Sequence, residues 1–479
     1  MDPDPDRTES ERLSGQSKSG FLNRRKCLAL VAGVGAIGTS SGSALAASSN
    51  SVERNGITFD RVVNADDDLG ISDGGRVDDI LDDVADEGDT LVQFPPGEYL
   101  VRDSVTLNES DFGIESTTGD REDVVFKPVS DRSPAMFIGK NESGFYVGSI
   151  TLDRRDEWDS SLTLMRGGFS DMVYLKDILV EGWAPKDGEN LLIFDITDSD
   201  GSALVEDLER RGPSEFGSSP RDTEITILNT SGTKGDITYR NLEIHNATET
   251  GLYAGKAYGA IRVEDSYFKN CAHSAVRVTG NDSWIKNTTI VMDIGDLHPD
   301  ATVVDPEGIQ LNRGIWVQSA GHEHGGPLIE DCEVIMNDAG NGSAGILNHG
   351  DSGGIELRNT RIECNQDDIP PILIQDESNG KAAKPYEATL DGVSVTGSGS
   401  GKPAITIRDR DGTSVKNSCI EMPNADGIEF EGTSDGTIED TNINVGGEET
   451  VFENADVETS NLTSDDSCPA PSLGSEKND

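Results

Sequence analysis

The sequence predicts an all-β chain folded as a single-stranded, right-handed parallel β-helix of about 10–12 coils, with an N-terminal capping helix. An Asp or Asn recurs in a two-residue turn between short apolar segments, as in "VEDSYF", "IKNTTI" and "IEDCEV". The recurrences lie 22 to 44 residues apart, which is typical of a solenoid with loop insertions. Each unit also holds three short segments with alternating apolar positions, as expected for one coil of parallel strands. The turn residues are Asp177, Asp207, Asn241, Asp265, Asn287, Asp331, Asn359, Asp391, Asn417 and Asp440.

Residues 1–46 are predicted to be a Tat-type signal peptide. Arg24 and Arg25 precede an apolar stretch, and the segment at 44–46 reads Ala-Leu-Ala, a small-residue cleavage site. The apolar stretch is too short to span a bilayer. Twin arginines resemble the signal read by the Tat pathway. We therefore expect a protein that is secreted or held at the cell surface, without membrane insertion.

Residues 47–75 form a lead-in, and the β-helix is expected over residues 76–460. The segment "RVDDILDDVADEGDTLVQFPPGEYLV" at 76–101 reads as a short amphipathic helix, a strand and a Pro-Pro-Gly turn. A helix at this place would cover the open edge of the first coil and protect it from pairing with another chain.

The repeated Asp and Asn residues are interpreted as scaffold. A tight turn needs left-handed backbone geometry, which Asn and Asp tolerate better than other residues that carry a Cβ. Stacked coils would place these side chains above one another, so that each can hydrogen-bond to the next. We do not expect catalytic carboxylates among them.

Residues 461–479 form a polar tail that contains Cys468. Five cysteines remain after removal of the signal peptide, so at least one thiol stays unpaired. A Cys419–Cys468 disulfide would tie the tail to a late coil; the alternative is that both are small buried residues. No CxxC spacing occurs, and no metal site is predicted. Eight sequons suit an exported glycoprotein: Asn108, Asn141, Asn229, Asn246, Asn281, Asn287, Asn341 and Asn461.

The formal net charge is −50 and the isoelectric point is about 4.2. Nucleic acid and anionic membranes are therefore excluded as partners, because both are polyanions. Such a charge suits a protein that stays soluble in concentrated salt, where screening shortens electrostatic repulsion. We expect a halophilic source.

The capping segment at 76–101 and the coils that follow resemble the pectin-lyase-like right-handed parallel β-helix superfamily. The stretches "GLYAGKAYGAIRVED", "AVRVTGNDSWIKN" and "NRGIWVQSA" are similar to secreted haloarchaeal β-helix repeat proteins. The resemblance covers roughly residues 55–460. It implies that substrate lies along the outer face formed by the first strand of each coil.

Strand alternation locates the residues on that face. Apolar residues flank the centres of "GLYAG", "AVRV" and "GIWVQ", so Tyr253, Arg277 and Trp316 are expected to point outward. Trp offers a flat platform for a sugar ring, and Arg pairs with a carboxylate in a bidentate fork. The alternative is that a loop covers Trp316 while Arg277 bridges local carboxylates. The predicted substrate-binding residues are Tyr253, Lys256, Trp316, Gln318 and Arg408.

Candidate catalytic residues are basic or titrate near neutral pH. A long loop at 292–313 precedes "GIWVQ", and the turn "SAGHEHGG" that follows contains His322. Extra loop length beside a binding face is often functional, and His is a common proton-transfer residue. For each candidate histidine, the alternative is an exposed loop residue without a catalytic role. The candidates are Arg277, Arg313, His322 and His349.

If the protein is an enzyme, the sequence favours a polysaccharide lyase, pectate-lyase-like, over a glycoside hydrolase. Polygalacturonase-type hydrolases carry an R-I-K motif, but here "GHEHGG" is followed by "RIE" at 361–363, and no N-T-D lies upstream. Hydrolysis by inversion also needs converging carboxylates, and the outward rows offer Glu429 and Glu431. Pectate-lyase-like elimination needs a base at the sugar C5, with Ca²⁺ or an arginine neutralising the uronate. No other cofactor is indicated.

Two functions stay open at this point. In the first, the protein binds and cleaves an acidic extracellular polysaccharide by β-elimination. In the second, it is a non-enzymatic cell-surface solenoid that binds a glycan or mediates adhesion. Both need the same groove.

Overall fold

The computed structural model describes residues 51–129, 132–154, 161–183, 190–216, 224–280, 282–303, 311–318, 325–376, 384–464 and 467–472. The predicted signal peptide and His322 lie outside these residues. The described chain forms the predicted right-handed parallel β-helix. Its outer face is a parallel sheet of 13 strands, here called the front sheet. Its strands are Val105–Leu107, Ala135–Glu142, Thr163–Phe169, Leu192–Ile196, Ile227–Leu228, Thr250–Tyr253, Ser274–Val278, Arg313–Val317, Ala344–Asn348, Ile372–Ile374, Ile405–Arg408, Ile428–Glu431 and Thr450–Glu453.

The first three front strands, from Val105–Leu107 to Thr163–Phe169, precede the first repeated turn, at Asp177. In the coils before Asp236, the two remaining walls are formed partly by long strands that run through the corner, Phe145–Arg154, Val173–Gly182 and Ser202–Arg210. The left-handed corner position is Ser149 in the first of these strands, and Asp177 and Asp207 in the other two. The first coils have shorter strands: Arg61–Asn64, Thr90–Phe94, Gly97–Val101, Phe112–Ser116 and Val124–Pro128.

From Asp236 onward each described coil except the last has two further strands, which meet at the Asp/Asn turn. Those before the turn are Asp236–Arg240, Ile261–Glu264, Trp284–Lys286, Leu328–Glu330, Glu356–Arg358, Thr389–Asp391, Ser414–Lys416, Gly436–Glu439 and Val457–Ser460. Those after it, which form the rear wall, are Glu243–His245, Tyr267–Lys269, Thr289–Asp293, Glu333–Asp338, Arg361–Cys364, Ser394–Thr396, Cys419–Met422 and Asn442–Val445.

Short elements outside the coils complete the fold. Val52–Arg54 and Ile57–Phe59 pair antiparallel, and Glu215–Phe216 pairs with Thr302–Val303. In the described part of the chain, 3-10 turns cover Arg121–Asp123 and Ile294–Asp296.

The capping helix spans Asp78–Ala85 and covers the first edge of the front sheet, as predicted. Its Leu81, Val84 and Ala85 are buried in the core. On the sheet side, Asp78 accepts a hydrogen bond from the backbone N–H of Arg102 (3.1 Å), and Asp82 accepts one from Thr106 (2.8 Å). Acidic residues at successive turns of the helix thus satisfy N–H groups that a sheet edge would otherwise expose.

The repeated turns have the predicted left-handed geometry and the predicted ladder. Nine of the ten turn residues have φ between 47° and 56°. The exception is Asp391, where Gly392 takes the positive φ (69°) in its place. Side-chain amides donate to carboxylates on the preceding coil, from Asn417 to Asp391 (2.8 Å) and from Asn287 to Asp265 (3.2 Å). These residues are scaffold.

The tail is tied to the late coils by the Cys419–Cys468 disulfide that the sequence left open. Residues 467–472, here called the strap, then run back along the rear wall. Ser394 donates to the carbonyl of Pro469 (2.6 Å), and the backbone N–H of Ser472 donates to Glu333 (2.9 Å). Because Cys419, Ser394 and Glu333 lie at one register position on different coils, the strap crosses the coils along the helix axis.

Two further expectations can be compared with the fold. The side chains of Asn229 and Asn246 are buried, so these two sequons cannot carry glycans in the folded protein. Among the described residues, no helix has the length and apolar character needed to cross a membrane.

Candidate functional site

One outward column of the front sheet collects the predicted aromatic and basic side chains. Tyr253 is paired with Arg277, and Arg277 with Trp316, on three successive strands. Adjacent parallel strands lie about 4.8 Å apart. The neighbours Ile315 and Val317 belong to the main core, whereas Trp316 does not. Strand alternation therefore placed Arg277 and Trp316 correctly on the outside of the coil.

The side chains in this column form a stack. The guanidinium carbon of Arg277 lies 3.8 Å from the ring centroid of Tyr253 and 3.8 Å from that of Trp316. Both distances are well inside the range in which a cation is attracted to the π-face of an aromatic ring. The guanidinium is thus held between two rings, and Arg277 also donates through Nη2 to Oε1 of Gln318.

A second arginine contacts the same indole. The guanidinium carbon of Arg313 lies 4.0 Å from the Trp316 centroid. Burial and the nearby charge of Arg277 lower the pKa of Arg313 to about 10. Within the described part of the chain, its buried Nε and Nη1 atoms have no hydrogen-bond partner. Tyr253, Arg277, Arg313 and Trp316 are here called the cationic cluster.

A histidine–carboxylate pair borders this cluster on one side. Nδ1 of His349 lies 2.7 Å from the Asp351 carboxylate, and the His349 ring lies 5.9 Å from that of Trp316. Burial alone would raise the pKa of Asp351, but hydrogen bonds from His349 and Gln318 and the charge of Arg277 hold it below its ordinary value. Asp351 is therefore ionised at neutral pH.

A second histidine–carboxylate pair also contacts Trp316. The ring of His273 meets the indole edge-on with centroids 5.3 Å apart, and its Nδ1 lies 3.4 Å from Glu249. The side chains of His273 and His349 are 35% and 32% exposed, so they form the solvent side of the site.

The structure corrects the role expected for Trp316. Trp316 is 7% exposed and Arg277 is 4% exposed, so the indole is not an open platform for a sugar ring. Its ring is instead contacted by the guanidinium groups of Arg277 and Arg313. Trp316 therefore supports the two cations.

The other predicted site residues differ in whether they lie near the cationic cluster. Nζ of Lys256 lies 5.7 Å from the Tyr253 ring, beside the cationic cluster. Arg408 lies three strands further along the front sheet than Trp316 and pairs with Glu431 (3.1 Å) on the exposed surface. Arg408 is thus not brought into the cluster. His322 lies outside the described residues.

A groove of the described structure lies apart from the cluster. In the described part of the chain, no group of three or more His, Cys, Asp or Glu side chains could hold a metal ion. A groove of about 1470 Å³ runs along the Asp/Asn corner, where its lining includes Arg121, Glu209 and Glu243. Carboxylates outnumber arginines there, and the corner residues are scaffold, so we place the candidate site at the cationic cluster.

Asp351, His273 and Glu249 are site residues that the sequence analysis missed. Strand alternation predicts the side-chain direction only for residues within strands. Asp351 lies in the turn after Ala344–Asn348, and His273 lies before Ser274–Val278. A usable signal was the short spacing in "NHGDSGG", which puts a carboxylate two residues after His349.

In comparisons with known proteins, no protein-family model matches the sequence, and no curated sequence is significantly similar to it. Solved structures are similar in fold at low identity. The A-module of a mannuronan C-5 epimerase from Azotobacter vinelandii is 13% identical, with a TM-score of 0.41 over 85% of this chain and 100% of that one. A family 28 exopolygalacturonase from Yersinia enterocolitica is 12% identical, with a TM-score of 0.34 over 85% and 79%. A surface adhesin of Streptococcus pneumoniae is also 12% identical, with a TM-score of 0.35 over 84% and 92%. These similarities show the fold alone.

Proposed function

We propose that the protein is an extracellular, halophilic β-helix that binds a carboxylate-bearing polysaccharide at the cationic cluster. The observation that carries this proposal is the pair of arginines against Trp316. Arg313 keeps buried N–H groups without a partner among the described residues, next to a second arginine. Burying an unpaired cation is costly, and a carboxylate would offset that cost through charge-assisted hydrogen bonds.

The net charge of the whole chain affects how an acidic polymer can approach the cationic cluster. With a net charge of −50, the protein repels anions over most of its surface. Concentrated salt shortens that repulsion to a few ångström, so an acidic polymer can approach a local cationic site. Specificity then depends on the two arginines and their neighbours.

Export by the Tat pathway belongs to the same proposal. It is supported by Arg24 and Arg25 and by the Ala-Leu-Ala site at 44–46. Replacing both arginines with Lys should retain the protein in the cytoplasm. Unchanged secretion of that variant would exclude this route.

Cleavage by β-elimination is the second candidate function, and the His349–Asp351 pair favours it. A base would remove the proton at C5 of a uronate, the C4–O4 bond would break, and a C4=C5 double bond would form while O4 takes up a proton. The cationic cluster would stabilise the charge that develops on the carboxylate. His349 and Arg313 would move the protons.

A panel of polymers separates these functions from a glycan-independent role. The mature protein, in high salt, is titrated calorimetrically with a polyuronate, the same polymer as its methyl ester, a sulfated polymer and a neutral glucan. The proposal expects binding of the polyuronate and loss of binding on esterification, which removes the charge. Equal binding of the ester would contradict it. If ultraviolet absorbance grows as an unsaturated uronate forms, the protein also catalyses elimination. If the absorbance stays constant, binding alone is the function.

A further inference from the structure

Arg410 is a fully buried cation that lies outside the cationic cluster but contacts its border. It follows the strand Ile405–Arg408 and is 0% exposed. Its guanidinium donates to backbone carbonyls on separate parts of the chain. The acceptors are Gln375 (2.7 Å), Ser352 (3.0 Å), His349 (3.2 Å), Gly353 (3.3 Å) and Tyr386 (3.4 Å).

Three of these carbonyls belong to the turn at 349–353, which carries His349 and Asp351. The turn has further ties of its own. The N–H of Ser352 donates to the carbonyl of His349 (2.9 Å), and the amide of Asn348 donates to Gly353 (3.0 Å). Gln375 contributes from the next coil, since its side-chain oxygen accepts from the N–H of Gly350 (3.3 Å).

From this geometry we propose that Arg410 is a positioning residue, which holds the 349–353 turn so that His349 and Asp351 stay against Trp316 and Gln318. The inference deepens the proposed function, on which it rests for its effect on binding. A guanidinium has five donors in a rigid fork and can serve several carbonyls at once, whereas a lysine ammonium is a single point on a flexible chain. Without the fork, the turn loses donors for buried carbonyls and is free to move.

Arg410 is connected to the cationic cluster through His349, Asp351 and Gln318. Arg410 fixes the carbonyl of His349, and His349 hydrogen-bonds Asp351. Gln318 hydrogen-bonds Asp351 and also accepts from Arg277. A displaced turn would therefore loosen the side chain that orients the Arg277 guanidinium.

Hydrogen–deuterium exchange of the ligand-free protein tests the positioning role directly. Arg410→Met should speed exchange in the peptide covering 344–354 by about tenfold or more, while the capping helix at 78–85 stays unchanged. Arg408→Met is the matched control, because Arg408 is exposed and pairs with Glu431; it should leave 344–354 unchanged. If Arg410→Met does not fold, Arg410→Lys takes its place, with the same local increase expected. Unchanged exchange at 344–354, or an equal increase throughout, would overturn the proposal.

A double-mutant cycle then links positioning to binding. Arg410→Met and Asp351→Asn are each expected to weaken binding of a uronate trimer by about tenfold. Because both act through the same turn, the double variant should bind about as weakly as either single one. Additive losses would contradict positioning through Asp351. If the parent protein binds no uronate, the proposed function fails, while the exchange experiment still decides the role of Arg410.

Discussion

The guanidinium carbon of Arg277 lies 3.8 Å from the ring centroid of Trp316, on the neighbouring strand of the front sheet. Because the ring supports the cation, Trp316→Ala should weaken carboxylate binding through loss of orientation. A cation–π contact contributes about 0.5–2 kcal/mol, so the Kd should rise roughly two- to thirtyfold. Trp316→Phe keeps an aromatic face and should retain most of the affinity. Calorimetry checks both, and equal losses in the two variants would argue against a supporting ring.

Removing one rung of the turn ladder should cost stability without a specific effect on binding. Asn417 has φ of 49° and donates to Asp391. Asn417→Leu loses this bond and forces a leucine, which tolerates left-handed geometry less well than Asn, to adopt it at position 417, at a cost of about 1–3 kcal/mol. Asn417→Gly keeps the backbone free and should recover part of the loss. Urea unfolding measures both, and a parental midpoint for Asn417→Leu would refute the scaffold role.

The strap should stabilise the late coils more than the early ones. The Cys419–Cys468 disulfide spans 49 residues, and closing such a loop is worth up to about 4 kcal/mol. Since coils of a solenoid contact mainly their neighbours, Cys468→Ser should raise proteolysis around 394–445 and leave 90–154 protected. Ser472→Ala removes a single strap contact with Glu333 and serves as the mild control. Uniform sensitivity along the chain would contradict a local strap.

Stability should depend on pH through Glu243. Burial alone would raise the pKa of Glu243, but hydrogen bonds from His245 and Arg211 lower it to about 2, below its ordinary value of 4.5. A depressed pKa means that the stabilisation is present above about pH 4.5 and is lost as the pH falls towards 2. Glu243→Gln should therefore destabilise the protein by about 1 kcal/mol at pH 7, a value reduced by solvent screening. The difference from the parent should shrink below pH 4.5, and a constant difference would refute the assignment.

The fold could be predicted in detail because its signals are local. Left-handed turns select Asp and Asn, and pleated strands alternate, so the outward positions of Arg277 and Trp316 follow from single segments. One turn carries no repeat signature, because the long strand Phe145–Arg154 passes the corner with Ser149, not Asp or Asn, in the left-handed position. At Asp391, Gly392 takes the positive φ of the turn, while the carboxylate still accepts the ladder bond from Asn417 and pairs with Lys416 (3.5 Å).

The site could be predicted only in part because it depends on contacts between coils. Alternation says that Trp316 points outward, but it cannot say that Arg277 and Arg313 contact its ring. Asp351 lies in a turn, where the side-chain direction depends on the whole loop. The contacts of Arg410 could not be predicted for the same reason, since its partners at 349–353 lie about 60 positions earlier in the sequence.

The central claim is that Arg313 and Arg277 receive a carboxylate, and one comparison tests it most directly. The Kd of a uronate trimer is measured by calorimetry in high salt for the parent, for Arg313→Gln and for Arg408→Gln. Arg313→Gln removes a cation that lacks partners at Nε and Nη1 among the described residues, whereas Arg408→Gln removes one already paired with Glu431. A charge-assisted hydrogen bond contributes about 1.5–3 kcal/mol, so Arg313→Gln should raise the Kd by tenfold or more while Arg408→Gln leaves it within about twofold. Equal affinity in Arg313→Gln and the parent would contradict the account.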